Sequence, residues 1–177
     1  MKAFRIIMTV IMLAIVGIIG YNIVMKYMYP SQYEDYVEKY CKEYGIRESM
    51  VMAVINCESG FDPEAVSEKG ATGLMQLTEP TFLHIQKMLV DEDTEFSVDA
   101  KDPETNIKYG TRYLKYLSEQ FENDSVAVLA AYNAGLNNVK KWAGVDGKLD
   151  LEEIEYPETK QYVEKVLKTE ENYKNMD

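Results

Sequence analysis

The chain has 177 residues, 46% of them hydrophobic, which suits one compact domain with appendages. Its 19 Lys and Arg against 30 Asp and Glu leave a formal net charge of −11, a poor match to nucleic acid, whose phosphates need a basic footprint. A single histidine, His84, is too few for the usual zinc hydrolase site with its two or three histidine ligands. Neither metal nor other cofactor is expected, and a neutral or mixed-charge polymer is the better-suited substrate.

Ile6 to Met25 contains no charged residue and is bracketed by Lys2 and Arg5 on one side and Lys26 on the other. Twenty helical residues rise about 30 Å, the hydrocarbon thickness of a bilayer. The apolar region of a cleaved signal peptide is shorter, about 7–15 residues. Gly17 and Gly20 resemble a small-residue cleavage site, but Ile23, Val24 and Met25 carry the apolar run past it, so length favours an uncleaved anchor. Lys2, Arg5 and the terminal amine outweigh Lys26, which keeps the N-terminus inside and sends the remainder outward. The expectation is a cytoplasmic segment 1–5, a transmembrane signal anchor 6–28 and an exported body. Residues 31–177 then carry 16 basic against 30 acidic side chains.

Beyond the anchor, Ser31 and Glu34 form a capping-box pattern. Tyr33, Tyr36, Val37, Tyr40, Cys41 and Tyr44 follow at helical spacing, and Gly45 supplies a left-handed stop. A second helix runs from about Glu48 to Cys57 with Val51, Val54 and Ile55 inward, and it delivers Glu58 at its end. Gly60 to Gly73 reads as a loop, Leu74–Leu77 as a short segment, and Thr78-Glu79-Pro80 as the start of a helix reaching about Leu89. Asp91–Glu95 is most simply a solvated loop. Asp102 and Pro103 open the next helix, with Ile107, Gly110, Leu114, Leu117 and Phe121 on one face. Another starts near Asn123-Asp124 and leads into Tyr132-Asn133-Ala134-Gly135; the last opens at Pro157 and extends to about Lys168, leaving 169–177 as a tail. The fold class is therefore mostly α.

Cys41 and Cys57 are the only thiols and lie on apolar helical stripes. An exported location permits a disulfide between them, and two buried thiols are the alternative; the spacing leaves both open.

A glycosidic bond breaks when a carboxylic acid gives a proton to the leaving oxygen, and burial among apolar groups keeps such an acid protonated near neutral pH. Glu58 follows an apolar helix and precedes Phe61, although a glutamate at a helix end is more often a solvated residue. Four runs in fixed order raise its standing: Glu58-Ser59-Gly60-Phe61-Asp62-Pro63, Gly70-Ala71-Thr72-Gly73-Leu74-Met75-Gln76-Leu77, Asn106 through Leu114, and Ala131-Tyr132-Asn133-Ala134-Gly135. A fifth, Glu158-Thr159-Lys160-Gln161-Tyr162-Val163, follows. Together they resemble the soluble lytic transglycosylase family of the lysozyme-like superfamily, related to goose-type lysozyme, across residues 33–168.

The resemblance implies a lysozyme-like α-helical domain over 29–168 with a long substrate groove for peptidoglycan glycan strands. It implies that Glu58 alone first protonates the oxygen between N-acetylmuramic acid and N-acetylglucosamine, then accepts the proton of the muramoyl 6-hydroxyl as that oxygen attacks C1, leaving a 1,6-anhydro sugar. Ser67, Gln76, Tyr132, Asn133, Glu158 and Tyr162 match the family's substrate-contacting positions. Their plainer readings are turn chemistry for Ser67, helix-end capping for Gln76, a buried aromatic beside a helix-end Asn for Tyr132 and Asn133, and a dipole-favoured acid for Glu158. Leu77-Thr78-Glu79-Pro80 departs from the family, which commonly places Met before or near the proline, and Thr78 bears on subsite or stem-peptide preference. The alternatives are a muramidase that hydrolyses the same bond with water, a thiol peptidase using Cys57 with His84, and a non-catalytic glycan-binding component of an envelope assembly. Beyond the glycan and the membrane, no partner follows from the sequence.

Overall fold

The computed structural model describes residues 2–89 and 99–176; the acidic run Asp91–Glu95 lies outside them. The chain divides into two units, Met1–Ser31 and Gln32–Asp177. The first is a single helix, α1 (Lys2–Met28), with no buried residue. By length and composition alone it is capable of crossing a bilayer, a test that a signal sequence also passes.

The second unit is helical, with no strand among the described residues and only isolated bridges at Val66–Thr72 and Thr72–Leu77. Its first helix, α2 (Glu34–Tyr44), does not start on the capping box expected at Ser31. Tyr33 precedes it in a left-handed conformation (φ 62°) with no side-chain cap, and the amides of Tyr36 and Val37 both bond to the Tyr33 carbonyl (3.1 Å each). The helix stops at Gly45 in the left-handed region (φ 69°), as its sequence suggests.

The centre of the unit is α3 (Glu48–Glu58), buried at every position from Met50 to Ile55. A helix apolar on all sides is stable only when surrounded. The remaining elements are α4 (Glu79–Leu89), α5 (Pro103–Gln120), α6 (Ser125–Ala134), α7 (Leu136–Trp142), a helical turn at Leu151–Glu153, and α8 (Pro157–Lys174). The most extensive pairing is of α3 with α8, followed by α2 with α5 and α6 with α8. Asp102 and Asp124 cap α5 and α6 by accepting from the amides of Thr105 and Ala127, both at 2.8 Å. Glu104 ties α5 to α2, accepting from Lys39 Nζ (2.6 Å) and the Tyr40 hydroxyl (2.8 Å).

Two further elements differ from the sequence expectation. No periodicity marks α7, whose seven residues hold two Asn and two Lys. The last helix runs on through the expected tail to Lys174, burying Thr169, Glu170 and Tyr173. Glu170 is the reason: its carboxylate, 2% exposed, accepts from Arg47 Nε (2.8 Å) and Lys174 Nζ (3.0 Å). A buried charge is tolerable when paired on this scale, and hydrophobic spacing does not reveal it.

Gly110 packs against Met75; a Cβ there would collide with the Met75 thioether. Gly110→Ala is expected to destabilise the protein by about 1–2 kcal/mol in urea unfolding, because overpacking outweighs the gain in helix propensity.

Candidate active site

Glu58 sits on the last turn of α3, half-buried, where the chain leaves the core. Burial pushes its carboxyl from an ordinary 4.5 up to about 7, and Tyr162 and Lys165 hold it from rising further. Two tyrosines from different helices converge there. Tyr162 on α8 and Tyr132 on α6 feel the carboxyl and have their own hydroxyls raised well above the usual range, by burial first. The Tyr162 hydroxyl oxygen is buried without a hydrogen bond of full geometry, although it lies near enough to Glu58 to favour its charged form. The Tyr132 hydroxyl is committed elsewhere, donating to the Met75 carbonyl at 2.7 Å.

That bond is one of several that fasten the segment Thr72–Leu77. Ser59 Oγ donates to the Leu74 carbonyl (2.8 Å). Asn106, fully buried on α5, takes the Met75 amide on Oδ1 (2.7 Å) and donates through Nδ2 to the carbonyls of Thr72 (3.0 Å) and Ala100 (2.8 Å). Gly73 lies so close that a Cβ would strike the Asn106 amide, and its φ of 78° adds strain for any other residue. Gln76 is left-handed too (φ 47°), and its amide nitrogen donates to the carbonyls of Gly73 (3.0 Å) and Ala65 (3.1 Å). Ser67 closes the neighbouring turn: its hydroxyl accepts from the Ala71 amide (3.0 Å).

The structure brings only some of the expected site residues together. Glu58, Tyr132 and Tyr162 are brought into mutual electrostatic reach. Ser67 and Gln76 have bonding groups occupied by the loop itself. Asn133 accepts from the Thr159 hydroxyl at 2.8 Å, and Glu158 stands exposed in the first turn of α8.

Residues 35–154 match the family profile described as the transglycosylase SLT domain. The chain belongs to this family. It is 36% identical over 151 residues to the soluble lytic murein transglycosylase of Escherichia coli strain K12, covering 82% of this chain and 23% of that one. The crystal structure of that 70 kDa enzyme superposes with a TM-score of 0.78, covering 86% of this chain and 25% of the other. Membrane-bound lytic murein transglycosylase C of Photorhabdus laumondii is 36% identical over 114 residues, 60% of this chain and 32% of that protein. An inactive mutant of lytic transglycosylase Slt from Pseudomonas aeruginosa, a glutamate replaced by glutamine, matches with a TM-score of 0.73 at 29% identity, covering 84% and 25%. The chain spans about a quarter of the length of its soluble relatives.

Within this SLT domain both cysteines are free. Burial pushes the Cys41 thiol up to about 12. Cys57 is also raised by burial, and its Sγ donates to Thr169 Oγ1 at 3.6 Å. His84 instead packs edge-on against Tyr116, ring centres 5.0 Å apart, so the Cys57–His84 pairing of a thiol peptidase is not formed. His84 and Tyr116 line an open cleft of about 580 Å³ with Thr81, Tyr113, Leu136 and Asn137. Glu58 is not part of that lining; the link is Tyr113, whose ring packs on Tyr132 at 5.5 Å. Thr78 meets Thr81 hydroxyl to hydroxyl (3.0 Å) at the start of α4.

Ser59, Asn106, Thr159 and Lys165 carry bonds at or around the site that the sequence did not single out. Ser59 and Asn106 lie inside motifs already noted, while nothing local marks Lys165.

A carboxyl raised by folding favours the folded state fully below about 4.5 and loses that contribution as pH climbs through about 7. Glu58→Gln removes the titration. The melting temperature of the variant, relative to the natural protein, should therefore rise between pH values below 4.5 and above 7, as read by differential scanning calorimetry.

Proposed function

We propose that this chain is a membrane-anchored lytic transglycosylase that cuts peptidoglycan strands between N-acetylmuramic acid and N-acetylglucosamine, with Glu58 as its only acid and base. The observation that carries the reading is a half-buried carboxyl whose protonation midpoint sits near 7, because a group that must donate a proton and then take one back works best there. Residues 6–28 would anchor the protein, 29–168 would form the catalytic body outside the membrane, and 1–5 would remain inside. The membrane-bound relative and the length of α1 support this arrangement.

Protonated Glu58 gives its proton to the glycosidic oxygen while the bond to the muramoyl C1 breaks. The resulting carboxylate takes the proton of the 6-hydroxyl as that oxygen bonds to C1, so Glu58 ends as it began and no water is consumed. Internal attack gains from the high effective concentration of a group already in the ring. Tyr162 and Tyr132 enclose the carboxyl, and Ser67, Gln76, Asn133 and Glu158 are assigned to the flanking sugars and their N-acetyl groups. The inactive glutamate-to-glutamine relative supports an essential glutamate in the reaction.

A muramidase would need a second carboxylate near the first. Among the described residues, the charged group acting on Glu58 is the cation Lys165.

Peptidoglycan treated with the full chain in detergent should yield 1,6-anhydro muropeptides by mass spectrometry, and Glu58→Gln should lower the rate by about 10²–10⁴-fold. Reducing muramic ends would identify a muramidase instead. Strand binding with no released muropeptide would identify a glycan-binding component.

A further inference from the structure

The last turn of α3 leaves one carbonyl for another helix to satisfy. The amide of Ser59 bonds to Ile55 O (3.1 Å) and that of Gly60 to Asn56 O (3.2 Å). The carbonyl of Cys57, immediately before Glu58, accepts from Lys165 Nζ on α8 at 3.3 Å. An ammonium at a helix C-terminus meets the negative end of the dipole, which explains why an exposed lysine lies back against the core helix. Lys165 is also one turn beyond Tyr162 on the same helix. One stretch of α8 thereby supplies both a hydroxyl and a cation to the end of α3.

We infer that Lys165 is a positioning residue for Glu58: its ammonium ties α8 to the Cys57 carbonyl in the last turn of α3 and keeps a positive charge beside the carboxyl. The inference rests on the proton cycle proposed for Glu58 and concerns how that cycle is tuned. Among the described residues, the groups facing the carboxyl are Tyr162 and Lys165 from α8, Tyr132 from α6 and the neighbouring Cys57. The other three are neutral near pH 7, since burial raises the two tyrosines and the thiol. Lys165 is therefore the one fixed charge in the set, and it opposes the effect of burial on Glu58. Its work is to keep the carboxylate attainable after the first proton has been given away, so that the 6-hydroxyl meets a base. Because Lys165 touches neither sugar nor reacting atom in this scheme, it acts only through Glu58.

Lys165→Met keeps the aliphatic stem and removes the charge. The alkaline limb of kcat/KM, which reports loss of protonated Glu58, should move to higher pH by about half a unit at low salt. Lys165→Arg should return it. Added salt should move the limb of the natural protein toward that of Lys165→Met and leave the variant unmoved, since an exposed charge is screened. A merely structural lysine would lower the melting temperature and leave the limb in place, and that result would overturn the inference. Carbon-13 titration of Glu58 in the full chain reads the same shift without turnover: an upward midpoint in Lys165→Met supports the role, and an unchanged or lower one removes it. If Glu58→Gln retained full activity, the catalytic proposal would fall, while the titration would still decide what Lys165 does to the carboxyl.

Discussion

A carboxyl at the end of a helix that is buried on every side is the constraint around which this SLT domain is arranged. α3 has no solvent face from Met50 to Ile55, so its last turn is where polar groups first meet water. Glu58 stands at that boundary, desolvated enough to hold a proton near neutrality and near enough to the surface to exchange it. The same burial obliges the other helices to wrap α3. The wrapping brings Tyr162 on α8 and Tyr132 on α6 to the carboxyl. Core packing and the tuning of the acid are thus one arrangement, and moving either helix would disturb both.

The loop that follows is fastened by hydrogen bonds from its surroundings. Thr72–Leu77 is irregular backbone without a sheet to satisfy it, and its carbonyls and amides are met by Ser59 just past α3, Asn106 on α5 and Tyr132 on α6. Asn106 alone makes two of these bonds from a fully buried position and a third to the Ala100 carbonyl. Such a network is stable when every member is satisfied and fragile when one is removed. Gly73 and Gly110 leave room for it, one by a left-handed turn against Asn106 and the other by admitting Met75.

Much of this was legible in the sequence. The 3.6-residue spacing of Val51, Val54 and Ile55, the Asp102-Pro103 start and the Gly45 stop mark helices that the fold contains, and the ordered motifs identify the family. What escaped was polar and long-range. The continuation of α8 depends on Glu170 finding Arg47, 123 residues earlier, and no local periodicity encodes such a pairing. The start of α2 depends on a left-handed Tyr33, where a helix-capping rule pointed to Ser31. Around Glu58, the tyrosines lie in recognisable motifs, whereas Lys165 enters only because α8 crosses the end of α3. Ser67 and Gln76 sit in the loop expected of them, and nothing in the sequence shows that Ser67 Oγ and Gln76 Nε2 also hold that loop in shape.

The two free thiols bear on how the protein matures. Cys41 is 2% exposed and its thiol is pushed up to about 12; Cys57 is tethered to Thr169. Neither is a ready thiolate, the form that oxidants and alkylating reagents attack. The fold therefore asks nothing of a disulfide-forming machinery. Its helices close around α3 with both thiols unpaired, so the packing of the core is complete without an oxidation step.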